Sequence, residues 1–322
     1  MKILVTGGAG FVGRSLCKML ISHGYTVHVA LRYEKDATLL SEGIVPFIVG
    51  DIDGQTDWSS AIAGCEIVLH LAARVHVIRE SASDPLAAFR KTNTEATVHL
   101  AKEAEKAGVR RLVFVSTIHA NGNETFEKPF SSHDKVAPRS FYAISKHEAE
   151  TELLKISGET GMEVVIIRPP LIYGANVRGN FGTLMHVLKK RWPLPLGMVT
   201  KNRRSFVALG NLVDFLMTCM THPDAPGHVF LVSDGEDIST ADLLKRLGNA
   251  MGTPPLLLPV PPALLQLGAA LTGKKHMVQQ LLGSLQIDIS ETRKLLGWNP
   301  PFTVDEGMHH AAKPFLGIKK QS

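Results

Sequence analysis

A glycine-rich turn between two apolar segments limits what this chain can fold into more than any other feature. Residues 2–7 (KILVTG) have the composition of a buried strand, and residues 11–23 have the periodicity of an amphipathic helix. Between them, residues 6–13 (TGGAGFVG) carry glycines at the G-x-G-x-x-G and G-x-x-G-x-x-G spacings. Because glycine has no side chain, a pyrophosphate can approach the free N–H groups at the helix N-terminus. The strand–turn–helix context therefore predicts a dinucleotide site.

Strand-like and helix-like segments alternate through the first half of the chain. The further strand-like runs are residues 25–32, 45–51, 66–73, 111–116 and 163–170. A long helix is expected over residues 85–107, and a second one carries residues 140–150. Strands that are apolar on both faces and separated by helices are typical of a parallel sheet covered on both sides. The sequence therefore predicts an α/β fold, a doubly wound parallel sheet of the Rossmann type.

The rhythm of the sequence changes after Pro170. Proline and glycine become frequent, the helices shorten, and strand-like runs such as residues 228–234 are isolated. We expect residues 1–170 to form a dinucleotide-binding domain. Residues 171–322 are expected to form a smaller α+β substrate domain, partly interleaved with the first.

Charge and cysteine content argue against several classes of protein. The formal charge is +5, but Lys and Arg are scattered along the chain, so nucleic acid is not an expected partner. The three cysteines lie far apart, and the fourteen histidines form no metal-ligand spacing. We expect no metal site and a reducing, cytoplasmic location.

One apolar segment imitates a membrane span. Residues 252–273 carry no charge, but prolines at 259, 261 and 262 divide them into a short strand and a helix of about three turns. Such a helix is too short to cross a bilayer. We expect no membrane span and burial of this segment against another helix or a partner chain.

A tyrosine and a lysine stand four residues apart in SFYAISKHEAE (residues 140–150). On a helix, Tyr142 and Lys146 lie one turn apart on the same face. The pattern is common by itself, but beside a dinucleotide site it predicts an acid–base pair for hydride transfer. A tyrosine with its ordinary pKa near 10 is a poor base at neutral pH. A nearby ammonium, together with a positive nicotinamide ring, is expected to favour the phenolate.

The residue after the second strand bears on which dinucleotide is bound. An acid at that point bonds the ribose 2′-hydroxyl of NAD, whereas an arginine suits the 2′-phosphate of NADP. The run VHVALR ends in Arg32, which favours NADP(H), although Glu34 follows closely enough to reach the ribose. After the third strand, Asp51 and Ile52 are candidates to bond and pack against the adenine.

Several ordered motifs together resemble the extended short-chain dehydrogenase/reductases. They are the glycine turn, HLAA (70–73), KTNTEAT around Asn93, VSTIHANG (115–122), Tyr142-x-x-x-Lys146, RPPLIYG (168–174) and ETRKLLGWNPPFTVDEGM (291–308). Within that superfamily, the chain resembles the NAD-dependent epimerase/dehydratase family, and in that family it is similar to the nucleotide-sugar branch. It looks like the UDP-glucose 4-epimerases and the UDP-N-acetylquinovosamine dehydrogenase type, a 4-keto-sugar reductase.

The resemblance implies specific site residues. Thr117, Tyr142 and Lys146 are the implied catalytic group. The implied cofactor-binding residues are Gly7, Gly10, Phe11, Val12, Gly13, Arg32, Asp51, Ile52, Leu71, Ala72, Ala73, Asn93, Tyr142, Lys146 and Pro169. The implied substrate-binding residues are Thr117, Tyr142, Asn180 and Arg204. His119 and Tyr173 also fall near the site, where we interpret them as packing or pocket wall.

The chain departs from the family at one place. The stretch RRSFVALGNLVD has Ala208 and Gly210 where the family usually carries His and Asp. The departure bears on how a diphosphate would be held next to Arg204.

Three functions remain open from the sequence. The first is an NADP(H)- or NAD(H)-dependent reductase acting at C4 of a UDP-linked 4-keto sugar, in nucleotide-sugar synthesis for surface polysaccharides. The second is a UDP-sugar 4-epimerase that retains NAD. The third, a non-catalytic dinucleotide sensor, fits poorly because both Tyr142 and Lys146 are present. The resemblance also implies a homodimer.

Overall fold

The protein is built around one seven-stranded sheet. The computed structural model describes residues 1–75, 84–177, 179–273 and 275–316. Its strands are β1 (Lys2–Thr6), β2 (Thr26–Leu31), β3 (Ile44–Ile48), β4 (Ile67–His70), β5 (Arg111–Val115), β6 (Glu163–Arg168), β7 (Leu171–Tyr173), β8 (Phe206–Ala208) and β9 (Val229–Leu231). The sheet has the order β3-β2-β1-β4-β5-β6-β9, and every neighbouring pair is parallel. This doubly wound order confirms the predicted fold class.

Helices cover both faces of the sheet. The helices of the described residues are α1 (Phe11–Ser22), α2 (Ser59–Ile62), α3 (Pro85–Arg90), α4 (Ala96–Lys106), α5 (Phe141–Thr160), α6 (Gly179–Lys189), α7 (Leu209–Thr221), α8 (Thr240–Ala250), α9 (Pro262–Leu271), α10 (Lys275–Leu282), α11 (Ser290–Leu296) and α12 (Val304–Leu316). Successive side chains of a strand point to opposite faces. Ile3 and Val5 of β1 therefore join the core formed with α1 and α7, while Leu4 joins the core formed with α2, α4 and α5.

The chain beyond residue 170 contributes to two regions. A smaller unit is formed by the parallel pair β7–β8 with α6, α8 and α12, which share a third apolar core. In contrast, α7 packs on the main sheet, and β9 pairs with β6 to complete its edge. The chain therefore returns to the first region after leaving it. The division at 170/171 stays a proposal.

The helix expected over residues 85–107 is interrupted. It consists of α3, a π-helical turn over Lys91–Glu95, and α4. Within that turn, the carbonyl of Asn93 accepts a hydrogen bond of 2.7 Å from the Thr97 hydroxyl. The helical periodicity continues on both sides, so the sequence pattern does not reveal the wider turn.

The apolar segment at residues 252–273 is buried on one side within the described chain. Leu257 pairs with Leu194 in an isolated parallel bridge, and the following helix is α9. Ala269 of α9 is buried, but Leu264, Leu267 and Leu271 are exposed. Burial of this outer face against a partner chain stays a prediction, because the described chain alone does not cover it. No helix among the residues described is both long enough and apolar enough to cross a membrane.

Candidate active site

The glycine turn joins β1 to α1 at the carboxyl edge of the sheet. Gly7 has φ +70°, and a Cβ at that residue would lie 2.8 Å from the amide nitrogen of Ala72. A Cβ on Gly13 would lie 2.2 Å from the carbonyl oxygen of Gly7, so α1 packs directly on the turn. Gly10 is the N-cap of α1 and brings no side-chain cap, and the first turn contains no acid. The first amides of α1, next to half-buried Phe11 and Val12, are therefore suited to an anion.

The HLAA turn follows β4 and lies against the glycine turn. The Leu71 amide donates to the Thr6 carbonyl at 3.3 Å, and the Ala72 amide donates to the Thr6 hydroxyl at 3.1 Å. Half-buried Leu71, Ala72 and Ala73 thus continue the surface that begins at Gly7. The structure brings these predicted cofactor residues together.

A buried histidine supports both turns. His70 is fully buried, with Nδ1 2.6 Å from the Thr6 hydroxyl and Nε2 2.8 Å from the Thr97 hydroxyl. Burial, together with the positive charge of Lys146, lowers the pKa of His70 to about 3. His70 is therefore neutral near pH 7 and ties β1, β4 and α4 together. We did not single it out from the sequence, although it lies within the HLAA motif.

Asn93 lies behind the HLAA turn. It is fully buried, its Oδ1 accepts from the Arg74 amide at 2.8 Å, and its Nδ2 donates to the Arg74 carbonyl at 3.0 Å. The same Nδ2 lies 3.0 Å from the Ser145 hydroxyl of α5. These contacts occupy the side-chain amide and fix the turn against the helix that carries Tyr142. Asn93 therefore positions the site.

The side chains of Tyr142 and Thr117 lie next to each other in the site. Ser140 caps α5 by accepting from the Ala143 amide at 3.1 Å, so the helix begins at Phe141, one residue before Tyr142. Thr117 follows β5, and its hydroxyl oxygen accepts from the His119 amide. Burial raises the pKa of Tyr142 to about 12, although hydrogen bonding with Thr117 acts in the opposite direction. Desolvation of the phenolate therefore dominates, and the lowering expected from Lys146 together with a nicotinamide ring stays a prediction.

Lys146 is fully buried one turn after Tyr142. Its Nζ lies 3.8 Å from the centre of the Phe114 ring, and in the part of the chain that the structure describes it makes no hydrogen bond. Burial lowers the pKa of Lys146 to about 7, and the negative charge of Glu150 partly offsets that effect. An unpartnered buried amine costs stability. Its position beside Tyr142 fits a hydroxyl-bearing ligand such as a nicotinamide ribose.

A buried ionic network lies behind Lys146. Arg168 donates to Glu150 through Nε at 2.9 Å and Nη2 at 2.5 Å, and through Nη1 to Asn121 Oδ1 at 2.8 Å. Burial alone would raise the pKa of Glu150, but hydrogen bonds from His147 and Arg168 hold it below its usual value. Next to Arg168, the carbonyl of Pro169 accepts from the Ile118 amide at 3.0 Å. The ends of β5 and β6 are thus fixed to each other beside Thr117.

Arg32 and Asp51 form an ion pair at the ends of β2 and β3. The Nε of Arg32 contacts the Asp51 carboxylate, and both side chains are exposed. Arg32 also lies 5.0 Å from the centre of the Tyr33 ring. Ile52 is half-buried against the α4 side of the core. Arg32 was predicted to bind the ribose 2′-phosphate and Asp51 the adenine, and the structure shows that the two side chains also bind each other.

Two of the four predicted substrate residues, Asn180 and Arg204, lie on or next to the smaller unit. Arg204 Nη1 donates to the carbonyls of Gln280 at 2.8 Å and Gly283 at 3.2 Å. Burial lowers the pKa of Arg204, while Glu124 close by acts to raise it. Asn180 is exposed at the second position of α6. A role for either residue in binding substrate stays a proposal.

The departure at Ala208 and Gly210 has a packing explanation. A Cβ on Gly210 would lie 2.8 Å from the Phe302 ring. A Cβ on Gly307 of α12 would lie 2.9 Å from the Ala208 Cβ. Larger side chains at 208 and 210 would therefore push away α12 and the segment before it. Small residues here let the C-terminal helix pack closely on β8.

Tyr173 and His119 differ in their surroundings. Tyr173 is buried and donates to Asp234 Oδ2 at 2.8 Å and to the Val304 carbonyl at 3.2 Å, so it is a packing residue. His119 is half-buried, and its Nδ1 lies 3.1 Å from Asn123 Oδ1. The interpretation of Tyr173 as packing agrees with these contacts.

Comparison with known proteins gives concordant matches. Residues 3–233 match the NAD dependent epimerase/dehydratase family. A UDP-glucose 4-epimerase of Vibrio cholerae is 44% identical over 318 residues, covering 98% of this chain and 95% of that protein. The N-acetyl-alpha-D-glucosaminyl-diphospho-ditrans,octacis-undecaprenol 4-epimerase of Escherichia coli is 26% identical, with coverages of 99% and 96%. The structure of UDP-glucose 4-epimerase from Thermotoga maritima with UDP-glucose has a TM-score of 0.79, 23% identity and 98% coverage of each chain.

Proposed function

This chain belongs to the NAD-dependent epimerase/dehydratase family, enzymes of the short-chain dehydrogenase/reductase type, and from that premise we propose that it transfers hydride at C4 of a UDP-linked sugar. The observation that carries the proposal is the grouping of Thr117, Tyr142 and Lys146 at the sheet edge that also holds the glycine turn. The 44% identical relative, named as a UDP-glucose 4-epimerase, supports the choice of substrate class.

Each residue of the group has a distinct task in this proposal. The nicotinamide, when bound, accepts or supplies the hydride. Tyr142 takes the proton from the sugar hydroxyl as it is oxidised and returns it to the ketone oxygen on reduction. The Thr117 hydroxyl accepts a hydrogen bond from the His119 amide and is hydrogen-bonded with Tyr142, so it is held beside the phenol, where it can bond the reacting oxygen of a bound sugar. Lys146 uses its unpartnered amine to bind the nicotinamide ribose and adds positive charge beside Tyr142.

For the adenosine end, we propose that Arg32 binds the 2′-phosphate of NADP(H). The absence of an acid at the end of β2 supports this assignment. Asp51 competes with the phosphate for Arg32, because the two side chains form an ion pair. The proposed preference is therefore for NADP(H), with affinity limited by Asp51.

Two forms of the reaction have separate support. Epimerisation, in which NAD stays bound and returns the hydride to the other face of the sugar, is supported by the name of the Vibrio cholerae relative. Reduction of a 4-keto sugar with an exchanging NADP(H) is supported by Arg32. Both use Thr117, Tyr142 and Lys146 in the same roles.

One experiment on freshly purified protein separates these forms. The protein is denatured, any released dinucleotide is identified, and parallel samples receive UDP-glucose without cofactor or a UDP-4-keto sugar with NADPH. Retained NAD with formation of UDP-galactose identifies the epimerase. An empty site with NADPH oxidation identifies the reductase. Absence of both reactions, in protein that binds a dinucleotide, would contradict the proposal of hydride transfer at C4 of a UDP-linked sugar.

A further inference from the structure

Helix α9 presents an apolar face that nothing in the described chain covers. Leu264, Leu267 and Leu271 repeat at helical spacing on its outer side, and Leu271 is 82% exposed. On the inner side, Ala269 is buried and Leu265 packs into the core of the smaller unit. The helix carries no charged residue. Large leucines on the outer side of an uncharged helix indicate a surface that meets an apolar environment.

Two segments that precede α9 in the chain carry further exposed apolar side chains. Leu256 and Leu258 lie two residues apart, exposed on one side of a short extended segment, while Leu257 between them points into the core. Leu194 bonds to that segment, donating to the Leu256 carbonyl at 2.9 Å and accepting from the Leu258 amide at 2.8 Å. Trp192, two residues before Leu194, is 57% exposed. We call this set the α9 surface: Trp192, Leu256, Leu258, Leu264, Leu267 and Leu271.

Cations border the α9 surface directly. Lys189, Lys190 and Arg191 precede Trp192 and are exposed, and Lys190 Nζ lies 5.0 Å from the centre of the Trp192 ring. The left-handed backbone of Arg191, with φ 52°, ends α6 and turns the chain towards the bonded segment. Basic residues beside an exposed tryptophan and leucines are typical of helices that lie in a membrane interface.

The distribution of acids reinforces this pattern. Residues 164–213 and 243–287 contain no Asp or Glu but hold twelve of the 35 Lys and Arg residues of the chain. The rest of the chain carries 23 basic residues against 30 acidic ones. The basic residues are scattered along the chain but the acids are not, so these two segments carry a net positive charge. The acid-free segments include α6, α9 and α10, which contain or adjoin the α9 surface.

We propose that the α9 surface docks on an anionic phospholipid bilayer, with α9 lying in the interface and not crossing it. The apolar side chains would enter the boundary between headgroups and acyl chains, and Lys189, Lys190 and Arg191 would meet lipid phosphates. A second copy of the chain is a poorer occupant. Two-fold pairing through the same face would bring two cationic borders towards each other.

The chain supplies its own probe for this docking. It has three tryptophans, of which Trp58 and Trp298 are 1% and 6% exposed, so changes in emission report mainly on Trp192. Vesicles of phosphatidylcholine mixed with phosphatidylglycerol should shift the emission to the blue and protect it from acrylamide. Vesicles of phosphatidylcholine alone should cause only a small blue shift and little protection. High salt should reduce the blue shift seen with the mixed vesicles. Loss of the shift in Trp192→Phe assigns the signal.

Substitutions divide the apolar and cationic contributions. Lys189→Gln with Lys190→Gln should weaken partitioning onto the mixed vesicles about 30-fold, since each surface cation contributes about fivefold. Lys18→Gln with Lys102→Gln, exposed on α1 and α4, is the matched control and should change little. Leu264→Gln, Leu267→Gln and Leu271→Gln together should weaken binding more than tenfold. Leu39→Gln, at an exposed leucine outside the α9 surface, is the control and should leave binding unchanged.

Three outcomes would overturn the proposal. The first is that wild-type protein does not partition onto the mixed vesicles. The second is that the Lys18 and Lys102 control weakens partitioning as much as the substitutions at Lys189 and Lys190. The third is that the three leucine substitutions convert a dimer to a monomer in sedimentation velocity. The last outcome would assign the surface to a second copy. Because the readout is binding, Tyr142→Phe protein should partition as the wild type does, whatever reaction the site performs.

Discussion

Tyr142 and Lys146 experience the same burial with opposite effects on protonation. Removal from water disfavours both charged forms, so burial raises the pKa of Tyr142 to about 12 and lowers that of Lys146 to about 7. The lysine, together with a positive nicotinamide ring, was expected to acidify the tyrosine, but without that ring desolvation of the phenolate dominates its pKa. A further positive charge in the site is therefore required before Tyr142 can act as a base near neutral pH.

We expect Tyr142→Phe to reduce turnover by about a hundredfold or more, since acid–base catalysis contributes 10²–10⁴-fold. The ring and its edge contact with Phe89, 6.5 Å between centroids, would remain. Dinucleotide affinity should therefore stay nearly unchanged in fluorescence titration. Tyr25→Phe, at a tyrosine packed on the core beside α1, should have wild-type activity. Retention of more than about a tenth of the activity by Tyr142→Phe would exclude it as the acid–base group.

The ion pair between Arg32 and Asp51 leads to a prediction on cofactor choice. Wild-type protein should prefer NADPH to NADH, and Arg32→Asp should reverse that order, because a carboxylate repels the 2′-phosphate and accepts the 2′-hydroxyl. Asp51→Asn keeps an acceptor for the adenine amino group but frees Arg32. It should raise NADPH affinity about two- to fivefold, as expected for an exposed charge pair, and leave NADH affinity alone. Equal changes for both dinucleotides, measured by titration, would refute the role of Arg32.

At the scale of elements, His70 ties β1, β4 and α4 through the hydroxyls of Thr6 and Thr97. Its folded pKa of about 3 lies below the ordinary value of 6.5. Between these values the unfolded chain binds a proton that the folded chain does not. The stability due to neutral His70 is therefore fully present above pH 6.5 and is lost as the pH falls towards 3.

We expect the unfolding free energy of wild-type protein to fall more steeply than that of His70→Gln between pH 6 and 4. The difference in slope should approach about 1.4 kcal/mol per pH unit, the value for one proton. At pH 7.5 the variant should be the less stable protein, because glutamine cannot bond Thr6 and Thr97 in the same geometry. Urea unfolding at several pH values measures both quantities, and parallel curves would show that His70 is not buried neutral.

The features that the sequence predicts well are local. The glycine turn, the HLAA turn and the helix bearing Tyr142 each follow from a short run of residues whose periodicity or spacing sets the backbone. The features it did not reveal depend on distant partners. The π-helical turn is associated with contacts of Asn93 to Arg74 and Ser145, and Arg32 meets Asp51 through the pairing of β2 with β3. No short-range pattern reports such contacts.

At the scale of the whole molecule, the smaller unit depends on close packing of α12 against β7 and β8 at Gly307. A Cβ there would lie 2.4 Å from Tyr173 Oη and 2.9 Å from the Ala208 Cβ. We expect Gly307→Ala to destabilise the protein by about 1–3 kcal/mol, since the helix must move to admit it. Gly158→Ala in α5 is the control, because an added Cβ there would meet no described residue outside its own stretch of helix within 4 Å, and it should stabilise by about 0.5–1 kcal/mol. Similar denaturation midpoints for the two variants would contradict this account.

The pairing of β6 with β9 has a consequence for synthesis on the ribosome. Ile166 pairs with Val229, so β6 is made well before the strand that covers it. At 5–20 residues per second, about 60 residues take roughly 3–12 seconds to add. During that interval β6 is an apolar strand with an open edge, which invites pairing with another nascent chain. Growing chains on one messenger are therefore most prone to aggregate in this window, and a chain released just before residue 229 would keep that edge permanently.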